Sequence, residues 1–137
     1  MARLLEMGIE PFLISATLAG VLAQRLVRRL CSHCKKLQPL DEVQQRFVTQ
    51  HGGSLTQAYG ATGCRRCHHL GYDGRVGIFE LLPMSDALHE LIMQRAGAAA
   101  LYQAARAGGM QPLVTDGLAK VAAGVTTIDE VLSLIIA

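Results

Sequence analysis

Residues 31–34 read Cys31-Ser32-His33-Cys34 and residues 64–67 read Cys64-Arg65-Arg66-Cys67, and these four are the only cysteines in a chain of 137 residues. A two-residue gap lets one tight turn aim both sulfurs at a single ion about 2.3 Å away, and two such turns supply the corners of a tetrahedron. Cys31, Cys34, Cys64 and Cys67 are therefore the candidate metal ligands. The span between the knuckles, Lys35 to Gly63, is longer than a minimal metal ribbon needs, so it has room for a small substructure of its own.

Two disulfides would use the same four thiols. A Cys-x-x-Cys ring is strained as a structural disulfide, and no secretory signal is expected, so the reading is reduced thiols in a cytosolic setting. A tetrahedral four-sulfur set suits zinc or a single iron. Zinc is expected, one structural ion per chain. Lys35 and His68 follow the knuckles where an iron site favours glycine, to free amides toward sulfur, and the chain has no Trp and only 4% aromatic residues.

Charge around the knuckles agrees with a metal. Four thiolates on a divalent ion leave two negative charges, and Arg28, Arg29, Lys35, Lys36, Arg65 and Arg66 flank them. The formal net charge of +2 counts the thiols as neutral, so a loaded chain is formally neutral. These cations need no nucleic acid to explain them. His33, His68 and His69 could each replace a sulfur, but beside four cysteines they read as surrounding or solvated side chains.

At 50% apolar residues the chain can bury a modest core. Its longest apolar stretch, Phe12 to Ala23, is interrupted by Ser15, Thr17 and Gly20 and closed by Gln24 and Arg25, so no direct membrane span is expected. A helix ends at Gly8, and Pro11 opens a long helix to about Leu30, with Leu18, Leu22, Leu26 and Arg29 marking its turns. Asp41 caps a short helix ending at Gly52-Gly53. Gly71 to Arg75 reads as a turn feeding one strand, Val76 to Leu82. Three helices follow Pro83, at about Asp86–Arg95, Ala98–Ala107 and Leu113–Ala123. Thr127 and Glu130 form a capping box for a last helix that carries Val131, Leu132, Leu134 and Ile135 toward the core. The span Leu37 to Gly63 is polar, so it is expected to depend on the metal for order while the helices from Asp86 onward hold without it.

The chain has no G-x-x-x-x-G-K-[ST] phosphate loop, no G-x-G-x-x-G, no G-x-S-x-G and no H-E-x-x-H. Gly71, Gly74 and Gly77 serve turn and strand geometry. With all four thiols committed, there is no cysteine nucleophile. No catalytic or cofactor-binding residue is assigned.

Five segments in order carry a resemblance: Met7 to Ile14 (MGIEPFLI), Leu22 to Cys31 (LAQRLVRRLC), Gly71 to Leu82 (GYDGRVGIFELL), Asp116 to Lys120 (DGLAK) and Gly124 to Val131 (GVTTIDEV). Together they resemble the C-terminal end of the type II secretion and type IV pilus assembly ATPases. In that family a RecA-like motor domain carries the phosphate loop, a Walker B segment and acidic and histidine boxes, all upstream of the stretch seen here. The resemblance implies a noncatalytic C-terminal fragment of a hexameric cytoplasmic motor, a homo-hexamer held at the inner membrane by platform proteins. ATP and magnesium would belong to the full-length parent alone, which would be the ATPase. It also implies that Cys31, Cys34, Cys64 and Cys67 ligate a structural zinc, and that Gln24, Arg25 and Arg28 touch a neighbouring subunit or pair within the chain.

The expected fold is α+β and predominantly helical: residues 1–30 as the end of the motor core, 31–82 as the inserted tetracysteine zinc lobe with the following strand, and 83–137 as a C-terminal helical cap. Two other functions compete. One is a stand-alone zinc-ribbon nucleic-acid-binding module, disfavoured because eleven acidic residues balance the thirteen Lys and Arg. The other is a rubredoxin-like iron electron carrier, which colour alone would reveal.

Overall fold

The computed structural model describes the backbone of residues 2–136 and the side chains of residues 3–134. In chain order the elements are α1 (Ala2–Glu6), α2 (Pro11–Thr17), β1 (Gly20–Leu30), β2 (Lys36–Pro39), α3 (Glu42–Gln50), β3 (Gln57–Gly60), β4 (Tyr72–Pro83), α4 (Asp86–Met93), α5 (Ala98–Ala107), α6 (Leu113–Ala122) and α7 (Ile128–Ile136), with one 3-10 turn at Arg65–Cys67. The fold is α+β. Two two-stranded sheets are formed, β1 with β4 and β2 with β3.

The long helix expected from Pro11 to Leu30 is corrected. Pro11 does open a helix, where its missing amide costs nothing. At Thr17 the hydroxyl donates back to the Leu13 carbonyl (2.6 Å), and Leu18 then adopts extended dihedrals. Gly20 to Leu30 is an eleven-residue strand. Leu18, Leu22 and Leu26 are four residues apart, and that spacing puts side chains on one face of a helix and equally on one face of a strand. Pairing decides between them. The twelve-residue β4 exposes a long row of amides and carbonyls, and β1 satisfies one edge of it. Gly20 suits the close approach, since a Cβ there would lie 3.0 Å from the Leu82 carbonyl oxygen. β4 also begins earlier than expected, at Tyr72, with Gly74 inside it at φ +75°.

Between the knuckles the chain builds β2, α3 and β3. The two short strands run antiparallel, Lys36 opposite Gly60 and Pro39 opposite Gln57. Asp41 caps α3 as expected: its carboxylate accepts from the Gln44 amide (2.8 Å), and the Gln44 side chain accepts from the Asp41 amide (3.2 Å). The expected box at Thr127 and Glu130 is half formed. Thr127 Oγ1 accepts from the Glu130 amide (3.4 Å), but the Glu130 carboxylate turns instead to Arg28.

The chain divides into two compact units. The first takes in residues up to Ala23 together with Glu80–Gln111, and the second takes in Gln24–Phe79 together with the chain from Pro112 onward. In the first, Ile14 of α2, Leu88 and Ile92 of α4 and Leu101 of α5 form the core, with Leu82 and Met84 packed on it. In the second, Val27 and Ile78 of the long strands meet Leu40, Phe47, Val48 and Ala58 from between the knuckles and Leu118, Val121, Ile128 and Val131 of the last helices. The helices after Pro83 are thus shared out, α4 and α5 to the first unit and α6 and α7 to the second. The span between the knuckles is not a coreless loop, because Phe47 and Val48 are buried against the same cluster as Val121 and Val131. Ile135, assigned to the core from sequence, has its side chain outside the described residues.

Candidate metal centre

Both knuckles begin where a strand or loop is pinned by its backbone. β1 ends at Leu30, whose amide donates to the Val125 carbonyl (2.8 Å), and the next amide, of Cys31, donates to the Gly71 carbonyl (3.0 Å). The chain then turns, with the Cys34 and Lys35 amides donating to the Cys31 carbonyl at 3.4 and 3.1 Å. In the second knuckle Cys64 is extended and the 3-10 turn carries Cys67 round to meet it. His68 and His69 then take left-handed dihedrals, φ 51° and 63°, and the His69 amide closes onto the Cys64 carbonyl (2.8 Å). Gly63 is required there, since at φ +93° a Cβ would sit 2.6 Å from the His69 carbonyl oxygen.

These turns bring all four sulfurs within 4.8 Å of one another. Cys31 and Cys64 are 4.0 Å apart, Cys34 and Cys67 3.8 Å, and Cys64 and Cys67 3.7 Å. A regular tetrahedron with metal–sulfur bonds of about 2.3 Å has edges of about 3.8 Å. The four cysteines could hold a metal ion, and all four thiols are free, with no two bonded as a disulfide.

Two amides point at one sulfur. Cys64 and Gly71 each donate to Cys67 Sγ at 3.2 Å. Burial works to raise the Cys67 thiol, yet these amides bring it down to about 6, while burial pushes the Cys34 thiol up to about 11. Opposite shifts are what two crowded thiols show when one carries the charge and the other cannot. A divalent cation at their centre would remove the conflict. From sequence, Lys35 and His68 in place of glycine beside the knuckles count against iron; the amide of Gly71 nevertheless reaches a sulfur. It comes from four residues beyond Cys67, across the left-handed turn.

The histidines stay outside the cluster. His33, His68 and His69 are exposed, His33 lies against the Arg66 guanidinium, and the one group of metal-ligating side chains among the described residues is the four cysteines. Of the flanking cations, Arg28, Arg29 and Lys35 are engaged within the chain as well as Arg66. Arg28 Nε and Nη2 donate to Glu130 Oε1 (2.9 and 2.6 Å), its amide donates to Oε2 (2.8 Å), and its guanidinium covers the Tyr72 ring at 4.1 Å. Arg28 is thus paired within the chain. Hydrogen bonding to Glu130 raises the Arg28 pKa; burial works to raise Glu130, but the Arg28 bonds hold the carboxylate below its usual range. Arg29 Nε donates to the Asp73 carbonyl (3.0 Å), and Lys35 Nζ to the Gly124 carbonyl (2.6 Å).

Elsewhere the chemistry is thin. An apolar cleft of about 190 Å³ in the first unit is lined by Val21, Glu80, Leu101, Tyr102 and Met110, with no paired nucleophile and base. Ser15 Oγ lies 2.8 Å from His89 Nδ1, and no carboxylate orients that imidazole among the described residues, so the pair ties α2 to α4. No helix among the described residues is long and apolar enough to cross a membrane.

Residues 1–133 match the family described as type II/IV secretion system protein. The chain is 48% identical over 130 residues to the type II secretion system ATPase E of Vibrio cholerae, covering 95% of this chain and 26% of that protein. It is 46% identical over 136 residues to the type IV pilus assembly ATPase PilB of Myxococcus xanthus (95% and 24%) and 42% identical over 137 residues to the type IV pilus assembly ATPase TfpB of Acinetobacter baylyi (98% and 23%). The chain thus spans about a quarter of the length of the curated relatives it matches.

Proposed function

The chain belongs to the type II/IV secretion system protein family, and on that premise we propose that it is the noncatalytic C-terminal part of a motor ATPase that powers type II secretion or type IV pilus assembly. The observation that carries the proposal, besides the family, is the cluster of four sulfurs within 4.8 Å. Cys31, Cys34, Cys64 and Cys67 bind one structural zinc. The metal closes the knuckles and fixes β2, α3 and β3 against α6 and α7 in the second unit's core, so its part is architectural. Zinc is favoured over iron by Lys35 and His68, which stand where an iron site favours glycine, and by the low aromatic content.

Within the parent, α2 and β1 continue a RecA-like motor core, and the helices after Pro83 cap it. Nucleotide and magnesium are bound by the parent's upstream residues, because the chain has no amide-and-lysine cradle for phosphates. The parent works as a homo-hexamer in the cytoplasm, held at the inner membrane by platform proteins. One edge of the Arg28 guanidinium is bound to Glu130, and eleven acidic residues balance the thirteen Lys and Arg, which argues against a nucleic-acid module.

The test is direct. Purified chain should carry one zinc per molecule by elemental analysis, with four sulfur neighbours by X-ray absorption, and the upstream-extended protein should hydrolyse ATP. A red, iron-loaded protein would replace this reading with an electron carrier. Nucleic-acid binding with a steep salt dependence would replace it with a zinc ribbon.

A further inference from the structure

The residue after the first knuckle reaches a helix end far away in sequence. Lys35 Nζ donates to the carbonyl of Gly124 at 2.6 Å and lies 4.7 Å from the centroid of the Tyr59 ring. Gly124 closes α6: at φ +66° its amide donates to the Val121 carbonyl (2.9 Å), and the Val125 amide donates to the Lys120 carbonyl (2.9 Å). The Lys35 ammonium therefore sits at the negative end of α6, where a cation is favoured and the last carbonyls lack partners. There is no room to spare. A Cβ on Gly124 would lie 2.6 Å from the Tyr59 ring and 3.0 Å from Lys35 Nζ. Directly after this turn the chain is held again, by Leu30 donating to the Val125 carbonyl (2.8 Å) and Thr126 Oγ1 donating to the Arg28 carbonyl (2.8 Å), with Thr126 wholly buried.

We propose that Lys35 and Gly124 form a latch that positions the first knuckle for metal, so that metal affinity and the order of the α6–α7 turn are coupled. This rests on the reading of the four cysteines as a zinc site. Closing Cys31 and Cys34 around an ion fixes the backbone of Lys35 and aims its side chain at Gly124. By reciprocity, a docked Gly124 turn narrows the conformations of Lys35 and favours the knuckle that binds metal. Lys35 and Gly124 are positioning residues: neither touches the ion.

The experiment measures zinc affinity of the full chain by competition with a chromophoric chelator. Lys35→Met keeps the stem over Tyr59 and removes the charged donor; Gly124→Ala intrudes from the other side. Each should weaken zinc binding about ten- to a hundredfold, the range set by loss of one charge-assisted hydrogen bond. The double variant should be little worse than either single one, because one contact is lost in both. Lys35→Arg restores a donor and should recover most of the affinity. Hydrogen exchange supplies the reverse arm: stripping zinc from the wild-type chain should speed exchange at 121–127, and Lys35→Met should already show that faster exchange with zinc bound. Wild-type zinc affinity in both single variants would overturn the latch and leave the zinc site standing. A wild-type chain that binds no zinc would overturn both.

Discussion

Gly117 sets two effects against each other, and their magnitudes predict which wins. It lies buried in the middle of α6, so Gly117→Ala should gain about 0.8–1 kcal/mol from helix propensity alone. The new Cβ, however, would stand 2.8 Å from Val131 Cγ1, 3.1 Å from Cγ2 and 3.3 Å from Ile78 Cδ1. Val131 and Ile78 are both fully buried. A β-branched side chain within a helix has essentially one rotamer, so Val131 cannot swing aside and α6 and α7 must part. Overpacking of this kind costs about 1–3 kcal/mol. The overpacking term is the larger, and the substitution should destabilise by about 0.5–2 kcal/mol. Val131→Ala reverses the sign: with both γ-carbons gone the added methyl loses its two tightest contacts and fills part of the vacated space. In that background Gly117→Ala should stabilise by about 1 kcal/mol, a coupling of about 1.5–3 kcal/mol. Urea titration of the metal-loaded chain, followed by far-ultraviolet circular dichroism, measures the cycle. A Gly117→Ala variant more stable than wild type, or an equal change in both backgrounds, would refute the packing argument.

Chelation should loosen the second unit, including α6 and α7, while amides of α4 and α5 keep their protection; hydrogen exchange resolved by segment checks this, and equal loosening of α4 and α5 would count against it. The Arg28 contact holds the Glu130 carboxylate below its ordinary value of 4.5, so the stability it supplies is complete above that pH and is lost as pH falls through the lowered native value. Glu130→Gln should lower stability near neutrality and flatten its fall below about pH 4.5, read from urea midpoints at a series of pH values against wild type. The isolated chain should hydrolyse no ATP above background with magnesium present, as a coupled-enzyme assay would report.

The meeting of the four cysteines was legible because it is local: a Cys-x-x-Cys turn specifies its own geometry. Helix positions after Pro83 and the cap at Asp41 were legible for the same reason, since propensity and capping act within a few residues. β1 was not. Leu18, Leu22 and Leu26 satisfy helix and strand alike, and what decides is β4, fifty residues on in the chain. The warning lay in the reading itself. A single long strand with no partner leaves its amides unpaired, and the stretch before Cys31 was the apolar segment able to pair it. The capping box failed in half for a similar reason, because Glu130 finds a stronger partner in Arg28 than in its own helix terminus. The amide of Gly71 at Cys67 Sγ was hidden by the two left-handed histidines, a conformation no residue type there announces.

Each compact unit is stitched from two separate stretches, and this bears on how the protein is born. The thiols of Cys64 and Cys67 leave the ribosome well before Ile128 and Val131, which complete the core beside them. At about 5–20 residues per second, some 64 residues of further synthesis last roughly 3–13 s. Throughout that interval the knuckles lack the α6–α7 wall that buries their neighbours. Metal captured early would template the rest of the unit as it emerges, whereas a nascent chain starved of metal would present four bare thiols and the apolar faces of Phe47 and Val48 to chaperones, oxidants and its own sister chains. Metal supply at the moment of translation would then bear on the yield of sound molecules.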